Sequence, residues 1–171
     1  MELLIPGLLL VALMVYASTR IKRVAAEAFE AETVDAAEFL IDKPEGFLNV
    51  VSPAGGLSLQ IYSKDYGINE ASDFRAARGE VRVYEKRTLK FAATAIREST
   101  AVTSEVPEII DGRKYIVFEA ESVEKGIGFR EMYKLAEKDG SVIELKIKAV
   151  EDIGDELSKK IDAILASFIL K

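Results

Sequence analysis

Histidine and cysteine are both absent from this chain of 171 residues, and each absence excludes classes of function. Without them, Ser-His-Asp and Cys-His catalytic arrangements cannot be built, and neither can imidazole or thiolate metal sites. The lack of cysteine also excludes a disulfide framework, a zinc ribbon and an acylated lipoprotein terminus. Paired carboxylates remain as a route to acid-base catalysis. Because the densest carboxylate cluster fits a helix N-terminus, we expect a protein that is not an enzyme and that binds no cofactor.

Positive charge is also in short supply. The chain has 23 Lys and Arg residues against 29 Asp and Glu residues, for a net charge of −6. An acidic surface repels phosphate backbones, so the composition predicts no nucleic-acid partner.

Charge is almost missing from the first nineteen residues, where Glu2 is the only charged side chain. A helix from Leu3 to Thr19 would be roughly 25 Å long, just under the ~30 Å hydrocarbon core of a bilayer. Three basic residues follow at once and can extend their charges to lipid headgroups. We predict a single transmembrane helix over residues 1–23, anchored by Leu3, Leu8, Leu9, Leu10, Leu13, Tyr16, Arg20, Lys22 and Arg23.

Two other interpretations of this segment are weaker. A cleaved secretory signal needs a basic region before the apolar run and small residues at the cut, but Glu2 stands at the start and Ala26-Glu27-Ala28 lies beyond the basic residues. A buried core helix would be apolar on one stripe, whereas this run is apolar on all sides.

The position of the basic residues predicts the topology. Lys and Arg close to a span are retained on the cytoplasmic side of a membrane. We therefore expect the N-terminus outside and the large domain on the cytoplasmic side, with an extracytoplasmic domain as the alternative.

The chain after the span is predicted to be a stalk and one domain. Residues 24–32 are rich in Ala and Glu and contain no Gly or Pro, as is typical of a helix. Residues 33–171 have the length of one domain.

The first half of that domain combines strands with one ambiguous segment. Phe39 to Ser63 contains short apolar runs, turns, and a clean alternation at Leu57, Leu59 and Ile61. The next segment alternates around Val81 but also keeps helical spacing, and we predict a helix from Ala71 to Phe91.

The second half is more regular. Arg113 to Glu121, Gly128 to Ala136, and Ser141 to Val150 are separated by glycine turns, which predicts an antiparallel meander. Asp152 to Lys171 predicts an amphipathic closing helix. The fold class is therefore α+β: an N-terminal transmembrane helix, then an antiparallel sheet packed with one internal and one C-terminal helix.

Several stretches resemble the PsbP-like fold. They are FLIDKPEGFLNV at Phe39, IIDGRKYIVFEAE at Ile109, DGSVIELKIKA at Asp139 and the final ILASF at Ile164. That group includes extrinsic subunits of plant photosystem II, a nuclear Ran-binding protein and bacterial membrane-attached domains. The resemblance implies an accessory role in binding or assembly and carries no catalytic signature.

The carboxylate and glycine clusters have structural explanations. Glu151, Asp152, Asp155 and Glu156 fit a helix N-terminus and lack the spacing of a calcium loop. Gly126-Ile127-Gly128 fits a hairpin turn better than a phosphate cradle. Ile127 and Phe129 near its tip are either an apolar contact point or, for Phe129, part of the core.

The most unusual local feature is a concentration of positive charge in the predicted internal helix. It fits either a solvated helix face or a docking surface for an acidic protein partner or anionic headgroups. The residues are Arg75, Arg78, Arg82, Lys86, Arg87 and Lys90.

Taken together, the sequence predicts a non-enzymatic, membrane-anchored accessory or assembly subunit of a larger membrane protein complex. Its expected partners are the lipid bilayer and other membrane protein subunits. The alternative is a membrane-tethered domain whose sheet and helix enclose a pocket for a small apolar ligand.

Overall fold

The computed structural model describes residues 4–171, with side chains described from residue 9 onward. The chain begins with helix α1, Leu4–Glu27. A turn follows, in which Phe29 N–H donates to the carbonyl of Ala26 at 3.0 Å. The helical part of the predicted stalk therefore ends at Glu27, and strand β1 begins at Glu32.

Most of the domain is one seven-stranded antiparallel sheet with the strand order β3-β4-β5-β9-β8-β7-β6. Its strands are β3 (Phe47–Asn49), β4 (Leu59–Ser63), β5 (Ala77–Glu85), β6 (Ala101–Ile110), β7 (Arg113–Glu124), β8 (Ile127–Lys138) and β9 (Ser141–Val150). The three predicted strands of the second half are confirmed, because they form the continuous meander β7-β8-β9. Asp139 and Gly140 take positive φ at the β8-β9 corner, as a tight hairpin requires.

A second, three-stranded sheet lies beside the first and joins the two ends of the domain. It has the order β1-β2-β10, with β1 at Glu32–Asp35, β2 at Phe39–Lys43 and β10 at Ile169–Leu170. The predicted closing helix is shorter than expected. Helix α3 spans Asp155–Ser167, and the chain then extends as β10, where Leu170 N–H donates to the Tyr115 hydroxyl at 2.9 Å.

The main core lies between one face of the large sheet, α3 and the small sheet. Leu145 and Ile147 of β9 are fully buried there against Ile161 and Ile164 of α3. Phe39 packs against Phe168 with ring centroids 5.7 Å apart. This core covers only one side of the seven-stranded sheet.

Helix α2, Leu89–Ser99, covers part of the other face. Ala92, Ala93 and Ile96 are its buried residues, and they pack on Phe118 and Leu135. Thr88 caps the helix by accepting from Phe91 N–H at 3.3 Å.

The predicted helix from Ala71 to Phe91 is wrong. The middle of this segment is strand β5, Ala77–Glu85, and the α-helix begins only at Leu89. The segment forms a strand because the side chains on one of its faces, including those of Ala77 and Val81, are buried in the main core. Gly79 is paired with Ile61 of the neighbouring strand β4, and a Cβ at Gly79 would lie 2.8 Å from Ile61 Cγ1.

Within the described residues, no helix is both long enough and apolar enough to span a membrane. The transmembrane helix predicted over residues 1–23 is therefore not supported by the described part of α1. Leu3 lies outside the described residues, and of Leu8 only the backbone is described.

Candidate functional site

The face of the large sheet that α2 leaves open carries alternating charged side chains. On β5, Arg78, Glu80 and Arg82 point to this face, because Ala77, Gly79 and Val81 point to the main core. On the neighbouring strand β9, Lys148 stands opposite Arg78, Lys146 opposite Glu80, and Glu144 opposite Arg82. The result is a polar surface across the middle of the sheet.

Glu131 of β8 is the centre of this surface and is only 4% exposed. Its carboxylate accepts from Lys146 Nζ at 2.8 Å, from Ser122 Oγ at 2.8 Å and from the Tyr133 hydroxyl. Lys148 Nζ lies 3.7 Å away. Burial alone would raise the pKa of this carboxyl, but the hydrogen bonds from Lys146, Tyr133 and Ser122 lower it to about 2.

Where α2 meets the open face, there is a cleft of about 390 Å³. Its wall comes from α2, with Phe91, Ala95 and Ile96, and Leu57 lies at its edge. Its floor comes from the sheet and carries Glu80, Arg82, Tyr84, Tyr133, Glu144 and Lys146. Burial raises the pKa of the Glu144 carboxyl, which accepts a long hydrogen bond of 3.4 Å from the Tyr84 hydroxyl.

The structure separates the six basic residues of the predicted docking surface. Arg75 precedes β5, where it stacks 4.2 Å from the Tyr66 ring centroid and donates to the carbonyl of Lys64 at 2.9 Å. Arg78 forms an ion pair with Glu80 at 3.0 Å. These two side chains already have partners within the domain.

The other four basic residues gather around the β5-α2 turn, and we call them the basic corner: Arg82, Lys86, Arg87 and Lys90. All four are exposed. In the part of the chain with described side chains, no carboxylate lies within 4.0 Å of their cationic groups, whereas Arg78 and Arg97 have such partners. Arg87 lies over the Phe91 ring at 4.3 Å. The sequence identified these basic residues, but it did not predict the turn between β5 and α2 around which they lie.

The predicted anchor residues with described side chains project from α1 into solvent. Leu9, Leu10, Leu13 and Tyr16 are 64%, 59%, 71% and 66% exposed. Arg20, Lys22 and Arg23 are also exposed. Arg23 forms an ion pair with Glu27 at 2.8 Å.

The acidic and glycine clusters take the structural roles expected of them. Asp155 and Glu156 occupy the first turn of α3, and Gly154 is its N-cap. Over residues 9–171, no group of three or more carboxylates is arranged to hold a metal ion. Gly126 has φ 82° in the β7-β8 hairpin. Phe129 is 4% exposed and packs on Phe74, so it belongs to the core.

Two buried lysines were not foreseen from the sequence. Lys43 is 2% exposed, and its ammonium group donates to the carbonyls of Phe47 at 2.8 Å and of Glu30. Lys134 is 2% exposed and donates to the carbonyl of Leu165 at 2.9 Å near the end of α3. Burial lowers the pKa of both amines.

The two sheets and their covering helices define a PsbP-like α+β fold. The chain is similar to cyanobacterial PsbP (CyanoP) from Synechocystis at 16% identity and a TM-score of 0.59, covering 84% of this chain and 94% of that one. It is also similar to LpqN, involved in cell envelope biogenesis of Mycobacterium tuberculosis, at 10% identity and a TM-score of 0.58, covering 83% and 91%.

A third similar structure is the Ran-binding protein Mog1p of Saccharomyces cerevisiae, at 11% identity and a TM-score of 0.51, covering 83% of this chain and 96% of that one. At these identities the similarity establishes the fold alone. No family model and no curated protein matches the chain.

Proposed function

We propose that this protein is a non-enzymatic accessory or assembly subunit that attaches to a membrane protein complex through α1. One observation carries the proposal: the large apolar side chains of α1 from Leu9 to Tyr16 are each at least 59% exposed. A contiguous apolar surface of this kind marks an interaction site for lipid or another protein. The PsbP-like fold supports the role, because CyanoP and Mog1p share it.

The basic residues after this segment favour one orientation. Arg20, Lys22 and Arg23 suit the cytoplasmic headgroup layer, so the domain would lie on that side. Protease treatment of sealed right-side-out vesicles tests this proposal. Protection of the domain supports it, and digestion without detergent contradicts it.

Liposome flotation of the full chain tests the attachment itself. We expect the wild type to float with phosphatidylcholine vesicles and the double variant Leu9→Glu/Leu13→Glu to stay at the bottom of the gradient. The matched control is Val51→Glu, because Val51 is 97% exposed but lies in a loop of the domain. Attachment through α1 is contradicted if both variants float equally well.

The basic corner is proposed as the docking surface for an acidic partner in the same complex. Within the described residues its cations have no carboxylate within 4.0 Å, and they stand out on a chain whose net charge is −6. Such patches steer association, and their effect weakens with salt. Cross-linking in native membranes should lose its main product in Lys86→Glu/Lys90→Glu but not in Lys114→Glu/Lys159→Glu, which makes the same charge change elsewhere.

A second candidate function is binding of a small ligand in the cleft beside α2. The observation that favours it is a volume of about 390 Å³ with an apolar wall, which is within the range of ligand sites. Native mass spectrometry after gentle detergent extraction distinguishes the two functions. A stoichiometric set of membrane proteins supports the subunit proposal, whereas a lone chain that retains a small molecule supports ligand binding.

A further inference from the structure

The cleft beside α2 has two chemically different sides. The α2 side is apolar except for Ser99, and its Phe91 is 54% exposed although it is a large aromatic residue. The sheet side is charged. A ligand that satisfies both sides must itself have an apolar part and a polar part.

The charges of the cleft do not cancel. Glu80 is already paired with Arg78 at 3.0 Å, and Lys146 with Glu131 at 2.8 Å. Among the residues with described side chains, Arg82 and Arg87 have no carboxylate within 4.0 Å. Two guanidinium groups therefore border the cleft without a carboxylate at ion-pair distance, although Glu144 stands opposite Arg82 on β9.

One carboxylate remains, that of Glu144. It accepts a hydrogen bond from the Tyr84 hydroxyl, and burial raises its pKa. Lys146 and Arg82 act against this shift. The lining still carries the three cations of Arg82, Arg87 and Lys146 against the two carboxylates of Glu80 and Glu144. Guanidinium groups bind carboxylate and phosphate through directed, charge-assisted hydrogen bonds.

We propose that the cleft binds a small amphipathic anion, with its carboxylate or phosphate at Arg82 and Arg87 and its apolar body along Phe91 and Ala95. This inference rests on the second candidate function above and adds the sign and place of the ligand's charge. A cationic amphiphile is excluded from the same position by repulsion from both guanidinium groups.

Three probes of equal chain length test the inference: octanoate, octylamine and 1-octanol. The full chain is placed in phosphatidylcholine nanodiscs with labelled isoleucine δ1-methyl groups, and empty nanodiscs correct for partitioning. We expect octanoate to shift the methyl signal of Ile96, which lines the cleft, and octylamine to leave it unchanged. Ile161 and Ile164, buried on the opposite face of the sheet, are internal references.

Variants separate the charged part of the site from the apolar part. Because one charge-assisted hydrogen bond is worth about tenfold in affinity, Arg82→Gln/Arg87→Gln should weaken octanoate binding by at least that factor. Ala95→Trp should abolish binding by filling the cleft. Glu98→Trp adds the same bulk at an exposed position of α2 that does not line the cleft, and should bind octanoate like the wild type.

The outcomes distinguish the two levels of the proposal. If octanol or octylamine binds as well as octanoate, the anionic ligand is ruled out while ligand binding in the cleft stands. If no probe moves the Ile96 signal, both proposals fail.

Discussion

The ammonium group of Lys146 on β9 lies 2.8 Å from the carboxylate of Glu131 on β8, and the carboxylate is almost fully enclosed. This ion pair crosses between two central strands of the large sheet. Because the site also includes Ser122 and Tyr133, it holds four strand residues in one polar network on the face opposite the main core.

The Glu131 network predicts a loss of stability in acid. The folded-state pKa is lowered from 4.5 to about 2, so the stabilisation is complete above pH ~4.5 and disappears as the pH falls towards ~2. The shift corresponds to roughly 3 kcal/mol. Urea unfolding at pH 7 and pH 2.5 measures how the free energy of unfolding depends on pH. Glu131→Gln should remove most of this pH dependence, whereas Glu119→Gln at an exposed position of β7 should keep it.

Replacing Lys43, at the junction between α1 and the domain, is expected to have a large effect on stability. Lys43→Ala removes the donor to the Glu30 and Phe47 carbonyls and leaves a cavity, so we expect a loss of about 2–4 kcal/mol in the free energy of unfolding. Hydrogen exchange should also become faster at Gly46, whose N–H donates to the Phe29 carbonyl. Lys159→Ala, at an exposed position of α3, should change stability by less than about 0.5 kcal/mol.

Gly79 predicts a steric effect within β5. Its substitution by Ala would bring the new Cβ to 2.8 Å from Ile61 Cγ1 in the main core, and we expect a loss of about 1–3 kcal/mol. The matched change Gly154→Ala meets nothing within 4 Å and should cost less than about 1 kcal/mol, the preference for glycine over alanine at a helix N-cap. Equal thermal shifts for the two variants would contradict the packing of β4 on β5.

We expect Pro107 to protect the edge of the large sheet, at β6, from pairing with another strand. Among the described residues, strand β6 pairs with β7 alone and is ten residues long, with Val106 and Ile109 at 48% and 73% exposure. Proline interrupts the backbone N–H groups that another strand would need. Pro107→Val should therefore increase self-association in light scattering, while Pro53→Val in a loop should not. A monomeric Pro107→Val protein would show that the edge needs no protection.

Part of this fold could be predicted from the sequence because one pattern dominated. Ser141 to Val150 alternates without a competing period, and β9 has the same bounds. The segment from Ala71 to Phe91 fitted both the helical period and the alternation of a strand. The close contact between Gly79 and Ile61 depends on a strand elsewhere in the chain. Tertiary contacts of this kind carry no local signal.

The site was predictable to a similar extent. The basic residues were identified by their density, but Arg75 and Arg78 have partners that only folding brings near. The residues around Glu131 in the sequence did not predict that its carboxylate would be buried, because the groups that donate hydrogen bonds to it come from β7, β8 and β9. The anchor residues from Leu9 to Tyr16 are exposed along α1, and their membrane attachment stays a prediction.

The small sheet has a consequence for the order of folding. It joins β2 to β10, and Asp42 N–H donates to the Ser167 hydroxyl across 125 positions of sequence. Closing so long a loop costs entropy before the contacts form, and pairings of this kind slow folding. The β7-β8-β9 meander is expected to form early from local hairpins, so Phe39 and Phe168 meet only in a late step. Until then an apolar side of the meander stays open to water, which is the stage at which a folding chain is most prone to aggregate.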